Sequence, residues 1–179
     1  MAARKLNKGP GLSVTLADER FGPAGHPDSN WTKLIQAGFK VAGASLAPVL
    51  TGKDTAETAK EFGDLAEKLL RGCGYRIGLL GIGADGHIAG ILPGSPAASS
   101  RDLVCGYQAP DYQRLTLTPY ALEILDEVIV YAIDDSKRPA LENLNKNLSI
   151  TEQPAQVLKR IPAVTIYNGL KGDSYEDSN

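Results

Sequence analysis

Short stretches typical of β-strands alternate with helix-like patterns along the whole chain, and this alternation constrains the fold more than any other feature. The strand-like stretches are residues 12–16, 75–80, 114–117, 128–133 and 164–167. Residues 75–80 predict a central, buried strand, and residues 128–133 form an unbroken apolar one. Because strands that alternate with helices usually pair in parallel, the sequence predicts an α/β protein.

One helix has clear signals at both ends and is predicted over residues 55–71. Asp54 can cap its first turn, Glu57 completes a capping box, and Gly72 follows its last residue. Its apolar stripe consists of Ala59, Phe62, Leu65, Ala66, Leu69 and Leu70. This stripe predicts that one side of the helix packs on the core.

Two shorter helices are predicted from the residues that begin them. Thr118 suits the N-cap and Pro119 the first position of a helix over residues 119–125. A further helix is expected to start near Asp135 and Ser136, directly after an apolar strand.

The length of 179 residues fits one domain with its own hydrophobic core. We find no internal repeat, low-complexity tract or domain boundary, so we expect a single α/β domain over residues 1–179. A short flexible N-terminus and a disordered polar tail from about residue 169 are expected at its ends. With 42% hydrophobic and 22% charged residues, the composition is typical of a soluble globular protein rather than a disordered chain.

Charge and aromatic content exclude several kinds of partner. A formal net charge of -2 provides no basic surplus for a phosphate backbone, and 6% aromatic residues offer few surfaces on which bases could stack. No stretch approaches the roughly 20 apolar residues that cross a membrane, and the first residues lack the apolar core of a signal peptide. We therefore expect a cytoplasmic protein that binds neither nucleic acid nor membranes.

The cysteine and histidine content argues against a metal or redox site. Cys73 and Cys105 lie apart in apolar surroundings, which predicts two buried thiols rather than a metal-binding or redox pair. With His26 and His87 as the only histidines, a zinc site would need carboxylate ligands. The sequence predicts neither a metal nor a cofactor.

Three polar segments follow predicted strands, where the ligands of open parallel sheets usually bind. They are residues 18–20 in a polar loop over 17–30, residues 81–87, and residues 134–138. Core packing requires none of these polar side chains. Although a solvated charge cluster at 18–20 stays open, three ionisable residues directly after a strand favour a functional role.

Residues 81–86 match the glycine spacing of a dinucleotide-binding turn, but the residues that follow do not. Such a turn must begin a full helix, whereas Pro93 and Pro96 come within two turns, and Asp102 lies beyond them. The glycines instead allow backbone amides near Gly83 to approach an oxygen-rich ligand.

Asp85, His87 and Lys137 are the candidate functional side chains of the second and third segments. A histidine can transfer protons near neutral pH and a nearby carboxylate can orient it, but a histidine that only caps a turn is the alternative. Lys137 is predicted in the first turn of a helix, where a cation opposes the helix dipole. A bound phosphate would compensate this charge, unless the side chain bends into solvent.

Five segments of the chain, in their order and spacing, resemble the 6-phosphogluconolactonase and glucosamine-6-phosphate deaminase/isomerase family. They are residues 18–21, 26–30, 80–89, 92–96 and 114–118. The resemblance extends from about residue 12 to residue 167 and so covers most of the chain. It implies a doubly wound, mostly parallel α/β sheet with helices on both faces.

The resemblance also assigns roles to residues of these segments. His87 would be the acid/base residue, with Asp85 as its neighbour in the same motif. Lys137 would contact the sugar phosphate. For lactone hydrolysis we further expect amides near Gly83 to stabilise an oxyanion and Arg20, together with Lys137, to hold the anionic end of the substrate. The expected substrate-binding residues are Asp18, Arg20, Gly83 and Lys137.

Residue 92 separates the two branches of the family. Deaminases carry a glutamate five residues after the motif histidine, where this chain has Leu92, and lactonases carry an apolar residue followed by Pro-Gly. Leu92 and Arg20 favour metal-independent hydrolysis of 6-phosphogluconolactone to 6-phosphogluconate, a step of the pentose phosphate pathway, with His87 as general base. Two alternatives stay open. One is a glucosamine-6-phosphate deaminase/isomerase in which Asp18 shuttles the proton at C2, and the other is a non-catalytic sugar-phosphate-binding relative.

The start of the chain departs from the family pattern. Members usually carry several dozen residues before the Asp-Glu-Arg strand, including a Gly-Gly-Ser/Thr loop whose amides bind the phosphate, whereas this chain begins almost at that strand. The resemblance therefore predicts an incomplete phosphate site and an exposed sheet edge. A homo-oligomer or a complementing N-terminal segment would cover this edge.

Overall fold

A computed structural model describes residues 11–169, so the expected flexible N-terminus and nearly all of the expected polar tail lie outside the described residues. Within this range the strands are β1 (Ser13–Val14), β2 (Asp18–Arg20), β3 (Ser45–Leu46), β4 (Ile77–Leu80), β5 (Val104–Gln108), β6 (Gln113–Leu117), β7 (Glu127–Ala132) and β8 (Ala163–Asn168). The α-helices are α1 (Asn30–Gln36), α2 (Thr55–Gly72), α3 (Pro119–Leu122) and α4 (Arg138–Asn143). Short 3₁₀ helices cover Pro96–Ser99, Asp135–Lys137 and Pro154–Arg160. The predicted α/β class is confirmed.

Three parallel strands form the sheet that the sequence predicts, in the order β4-β7-β8. Leu80 lies opposite Val130, which lies opposite Ile166. One face of this sheet is apolar and packs into the core, where Leu80, Val128 and Val130 are buried. Strands β1 and β3 form a second parallel pair. The strand predicted over residues 12–16 is observed as β1, which has only two residues.

Strand β4 lies at the edge of the parallel sheet, so the prediction of a central, buried strand is wrong. Among the described residues, β4 pairs with β7 alone. Ile77 and Leu79 are 60% and 71% exposed, whereas Leu80 is 8% exposed. The exposed Tyr131 and Tyr167 share the face of Ile77 and Leu79 through the strand registers. These four residues define the bare sheet face. An apolar run does not tell whether one or both faces of a strand are covered.

Three antiparallel strands form a separate sheet in the order β2-β6-β5. Asp18 lies opposite Thr116, and Arg20 lies opposite Arg114. The prediction that residues 18–20 belong to a polar loop is wrong, because their backbone pairs with a distant strand. Since side chains alternate between the faces of a strand, the four residues named here share one face.

The longest predicted helix is confirmed as α2, which extends one residue further. Asp54 Oδ1 accepts the backbone N–H of Glu57 at 2.9 Å and caps the first turn. Phe62, Ala66 and Leu70 are buried on one side of the helix. This side packs against β5, so the predicted apolar stripe has the role that its period indicates.

The remaining helices differ more from the predictions. Thr118 Oγ1 accepts the Ala121 N–H at 3.3 Å as predicted, but α3 ends at Leu122 rather than at residue 125. The helix expected near Asp135 begins as a 3₁₀ turn and continues as α4. Helix α1 has no counterpart among the predictions: it has only seven residues, and its apolar residues Trp31, Leu34 and Ile35, although helically spaced, are not buried.

Both cysteines are free and half-buried, so the prediction of buried thiols is wrong in degree. Cys73 follows the last residue of α2, and burial raises the pKa of the Cys105 thiol.

None of the helices in residues 11–169 has the length and apolar composition that crossing a membrane requires. The same residues contain no group of three or more potential metal ligands in one place.

The two adjacent leucines of β4 test which face of the parallel sheet is covered. We expect Leu80→Ala to lower the free energy of unfolding by about 2–5 kcal/mol, because it opens a cavity in the core. Leu79→Ala, on the bare sheet face, should change it by less than about 0.5 kcal/mol. Urea denaturation of dilute protein measures both changes. Equal costs for the two variants would contradict the exposed position of Leu79.

Candidate active site

The loop after β4 brings a histidine and a carboxylate into contact. His87 Nδ1 lies 2.6 Å from Asp85 Oδ1, and the same oxygen accepts the His87 backbone N–H at 3.1 Å. When Nδ1 carries the proton, it donates to this carboxylate and the Nε2 lone pair is free. Within residues 11–169 Nε2 has no hydrogen-bond partner, and 34% of the His87 side chain is exposed. His87 can therefore accept a proton from a molecule that reaches this loop.

The carboxyl group of Asp85 is in an environment that favours its ionised form. Burial alone would raise the pKa of Asp85. The hydrogen bonds from the His87 N–H and ring, together with the charge of a protonated imidazole, outweigh burial and hold the pKa below its usual range. An ionised carboxylate only accepts hydrogen bonds, so Asp85 favours the tautomer with the proton on Nδ1.

Glycine at position 83 makes room for the imidazole. A Cβ on Gly83 would overlap the His87 ring and lie 2.6 Å from Asp85 Oδ1. The Gly83 N–H donates to the His87 carbonyl at 2.9 Å, so this amide already has an acceptor inside the loop. The N–H of Ala84, at the exposed tip of the loop, has no acceptor among the described residues. The observed contribution of Gly83 is therefore the space it leaves rather than a free amide.

The polar face of β2 and β6 lies directly against this loop. A Cβ on Gly90 would lie 2.9 Å from Thr116 Cβ and 3.1 Å from Asp18 Cβ. The Gly90 N–H donates to Thr116 Oγ1 at 3.0 Å. Asp18 therefore lies beside a residue only three positions along the chain from His87, so the first predicted polar segment comes close to the end of the second.

Asp18 is surrounded by groups that the sequence did not assign to the site. Its Oδ2 accepts a hydrogen bond from Asn30 Nδ2 at 3.0 Å. Burial raises the pKa of the Asp18 carboxyl, although the positive charges of Arg114 and Arg20 act in the opposite direction. Asn30 and Arg114 occur in the segments that carry the family resemblance, but only the folded chain places them next to Asp18.

Two arginines face each other across β2 and β6, and only one of them is paired with a carboxylate. Arg114 donates from Nη2 to Asp111 Oδ2 at 2.7 Å and from Nε to Asp111 Oδ1 at 3.3 Å. The Arg20 guanidinium stacks over the Tyr112 ring at 4.9 Å, and its Nε is buried without an acceptor. Among the described residues, Arg20 makes no ion pair. Arg20 is therefore the arginine that can bind an incoming anion.

Lys137 lies at the junction of a 3₁₀ turn and α4, where it is half-buried. It makes no ion pair with residues 11–169. Gln153 connects this region with the loop: its Nε2 donates to the Ala140 carbonyl at 2.7 Å, and its Cγ would lie 2.5 Å from a Cβ on Gly86. The structure thus joins α4 to the loop but shows no direct contact between Lys137 and His87.

Two further possibilities for ligand binding are a dinucleotide-binding turn over residues 81–86 and a surface depression that contains none of the predicted site residues. The dinucleotide-binding turn is excluded because the next helical segment after the loop is the four-residue Pro96–Ser99. A surface depression of about 390 Å³ lies beside the end of β2. It is lined by Phe21, Gly22, Pro23, Ala24, Gly52 and Lys53.

Comparison of the sequence with known proteins gives one family and several relatives. The sequence model of the family described as glucosamine-6-phosphate isomerases/6-phosphogluconolactonase matches residues 7–166. A 6-phosphogluconolactonase of Caulobacter vibrioides is 33% identical over 146 residues, which are 73% of this chain and 61% of that protein. One of Borreliella burgdorferi is 36% identical over 108 residues, 56% of this chain and 45% of the relative. The chain thus spans less than two thirds of the length of these relatives.

Solved structures share the fold at lower identity. A 6-phosphogluconolactonase from Thermotoga maritima superposes with a TM-score of 0.75 at 18% identity, over 94% of this chain and 77% of the other. A monomeric glucosamine-6-phosphate deaminase superposes with a TM-score of 0.74 at 20% identity, over 90% of this chain and 73% of the other. Both branches of the resemblance therefore have the same fold as this chain, and the fold does not separate them.

The raised pKa of Asp18 predicts how stability changes with pH. A folded chain with a raised carboxyl pKa binds the proton more tightly than the unfolded chain. Protonation of Asp18 therefore stabilises the folded chain. This contribution is fully present below the Asp pKa of the unfolded chain, about 3.9, and is lost as the pH rises through the Asp18 pKa of the folded chain. We therefore expect the neutral variant Asp18→Asn to be more stable than the wild type at pH 7, with a difference that disappears towards pH 4.

Urea denaturation across this pH range measures the difference in the free energy of unfolding. Asp64→Asn, on the exposed side of α2, is a matched control that removes a carboxylate in solvent and should show no such trend. A wild type more stable than Asp18→Asn at pH 7 would contradict the buried environment of this carboxyl.

Proposed function

We propose that this chain, which belongs to the family of glucosamine-6-phosphate isomerases and 6-phosphogluconolactonases, hydrolyses 6-phosphogluconolactone to 6-phosphogluconate. The observation that carries the proposal is the His87 and Asp85 pair, with its free Nε2, on a loop that faces the polar side of β2 and β6. The curated relatives named 6-phosphogluconolactonase support this choice of substrate. We expect the reaction to take place in the cytoplasm as part of the pentose phosphate pathway.

In the proposed mechanism, His87 acts as general base. Nε2 takes a proton from a water molecule, and the water oxygen forms a bond with the lactone carbonyl carbon. The carbonyl oxygen then carries the negative charge. When the bond between this carbon and the ring oxygen breaks, the ring oxygen takes the proton back from Nε2. Asp85 accepts from Nδ1 throughout and stabilises the transient imidazolium.

The amide of Ala84 is the donor we assign to the oxyanion. It lies at the exposed tip of the loop, three residues before His87. It has no acceptor in the described part of the chain. A donor held by a fixed backbone stabilises developing charge without having to reorganise. Gly83, expected to bind substrate, contributes by leaving space for the imidazole.

We assign Arg20 and Lys137 to bind the anionic end of the substrate. Asp18 is assigned to bind the hydroxyl groups of the sugar. Arg20 has no carboxylate partner among the described residues and carries a buried Nε without an acceptor. A phosphate would supply acceptors to this guanidinium and to the Lys137 ammonium. Asp18 accepts from Asn30 through Oδ2, which leaves Oδ1 for a sugar hydroxyl.

Residue 92 supports the lactonase assignment over the deaminase one. Leu92 is partly buried and packs against the hydrophobic core. An apolar side chain in this position cannot exchange protons with a sugar ring. The deaminase therefore serves as an outcome of the functional test, measured as release of ammonia from glucosamine-6-phosphate.

His87→Ala should reduce the hydrolysis of freshly prepared 6-phosphogluconolactone by about 10²–10⁴-fold, because it removes the general base. The measurement is acid release in excess of spontaneous hydrolysis, with circular dichroism to verify folding. Lys60→Ala, on the exposed side of α2, is the control and should keep the wild-type rate. A wild-type rate in His87→Ala would refute the mechanism. A folded wild type without activity towards the lactone would refute the proposed function for this chain alone.

We also propose that additional polypeptide covers the bare sheet face in the working protein, either a second copy of the chain or a complementing segment. Ile77 and Leu79 are exposed side chains of β4, and Tyr131 and Tyr167 continue the bare sheet face across β7 and β8. Among the described residues β4 pairs on one side only, and the unpaired backbone groups of its other side can accept a further strand.

Sedimentation equilibrium distinguishes the two ways of covering the bare sheet face. A second copy gives a mass above 19.0 kDa that returns to 19.0 kDa in Leu79→Arg. A complementing segment leaves the isolated chain monomeric, with a face that binds a hydrophobic dye, and Leu79→Arg reduces this binding. A monomer that binds no dye would contradict both.

A further inference from the structure

A fully buried carboxylate lies on the opposite side of β2 from Asp18. Glu19 is 0% exposed, and each of its oxygens accepts two hydrogen bonds. Oε1 accepts from the backbone N–H groups of Arg20 at 2.7 Å and Asn30 at 2.6 Å. Oε2 accepts from Ser29 Oγ at 2.9 Å and the Trp31 N–H at 3.1 Å. Four donors surround the carboxylate, which suits an ionised group in a buried position.

Three of these donors, from Ser29, Asn30 and Trp31, attach the start of α1 to β2. Ser29 is the N-cap of the helix and accepts the Thr32 N–H at 3.1 Å while it donates to Glu19. Helix α1 has no buried residue of its own, so apolar packing contributes little to its position. The hydrogen bonds to Glu19 therefore determine where the start of α1 lies relative to β2.

The side chain of the first residue of α1 reaches the candidate site. Asn30 Nδ2 donates to Asp18 Oδ2 and to the Asp18 backbone oxygen, each at 3.0 Å. One amide group thus holds both the carboxylate and the backbone of the same residue. Glu19 fixes the backbone of Asn30, Asn30 fixes the carboxylate of Asp18, and Asp18 lies against Gly90 of the His87 loop.

We propose that Asn30 is a positioning residue for the Asp18 carboxylate and that Glu19 acts through it. The proposal rests on the proposed function, in which Asp18 contacts the substrate. By holding Oδ2, Asn30 selects one rotamer and presents Oδ1 to the space beside Gly90. No part of this role requires Asn30 to touch the substrate.

The alternative to the positioning role is that Asn30 only anchors α1. A variant of Ser29, which also anchors α1 but does not contact Asp18, is the matched control. Ser29→Ala removes the N-cap and one donor to Glu19, but it leaves the Asn30 side chain in place. Asn30→Ala removes the contact with Asp18 but keeps the backbone hydrogen bond to Glu19. The two variants therefore separate anchoring of the helix from positioning of the carboxylate.

The experiment follows the Asp18 carboxyl carbon by NMR during a pH titration. Burial, Arg114, Glu19, Arg20 and Asn30 determine its pKa. We expect Asn30→Ala to raise this pKa further, because the ionised form loses a donor, and Ser29→Ala to leave it unchanged. An unchanged pKa in Asn30→Ala, or the same rise in Ser29→Ala, would overturn the proposal. Asn30→Ser replaces Asn30→Ala if the latter does not fold.

Lactone kinetics on the same variants give a second readout. Asn30→Ala should raise KM by about two- to tenfold with kcat nearly unchanged, and Ser29→Ala should change neither. An equal rise in KM for both variants would overturn the positioning role. The titration requires no turnover. An inactive wild type with the expected pKa pattern therefore refutes lactone hydrolysis but retains the positioning role of Asn30. An active wild type in which Asn30→Ala leaves the pKa and KM unchanged supports lactone hydrolysis and refutes the positioning role.

Discussion

The close approach of Gly90 to Thr116 and Asp18 is the constraint on which the candidate site depends. A Cβ at position 90 would lie 2.9 Å from Thr116 Cβ and 3.1 Å from Asp18 Cβ, so Thr116 or the His87 loop would have to shift. Thr116 accepts the Gly90 N–H at 3.0 Å, and the Tyr107 hydroxyl donates to the Gly90 carbonyl at 2.7 Å. Two strands of the antiparallel sheet thus hold the loop that follows β4, and Gly90, the residue in contact with Asp18, is only three positions along the chain from His87.

Two of the charged groups around this contact are incompletely satisfied by the described residues. Asp18 is buried enough that its pKa rises, and Arg20 has a buried Nε without an acceptor. Arg114, directly opposite Arg20, is neutralised by Asp111. Groups that lower stability and face a shared space are typical of functional sites, where a ligand supplies the missing interactions. Glu19 differs from them, because its four donors come from the chain itself.

The parallel sheet shows what the described residues leave uncovered. Parallel sheets normally carry helices on both faces, as the family resemblance implies, but β4, β7 and β8 have a core on one face and exposed side chains on the other. The curated relatives are longer, with 61% and 45% of their lengths matched. The bare sheet face and the open edge of β4 lie together, which is why a covering polypeptide and an added strand belong to the same proposal.

The sequence by itself determined the features that depend on neighbours along the chain. The α/β class, helix α2 with its Asp54 cap, and the contact between Asp85 and His87 two residues apart all follow from local periodicity and spacing. Tertiary structure alone decided that residues 18–20 form a strand, that β4 lies at an edge, and that Asn30 and Arg114 surround Asp18. These features depend on which distant strand supplies the hydrogen bonds and which side chains become cross-strand neighbours. Local sequence patterns carry no information about such pairings, because long-range contacts form only when the whole core assembles.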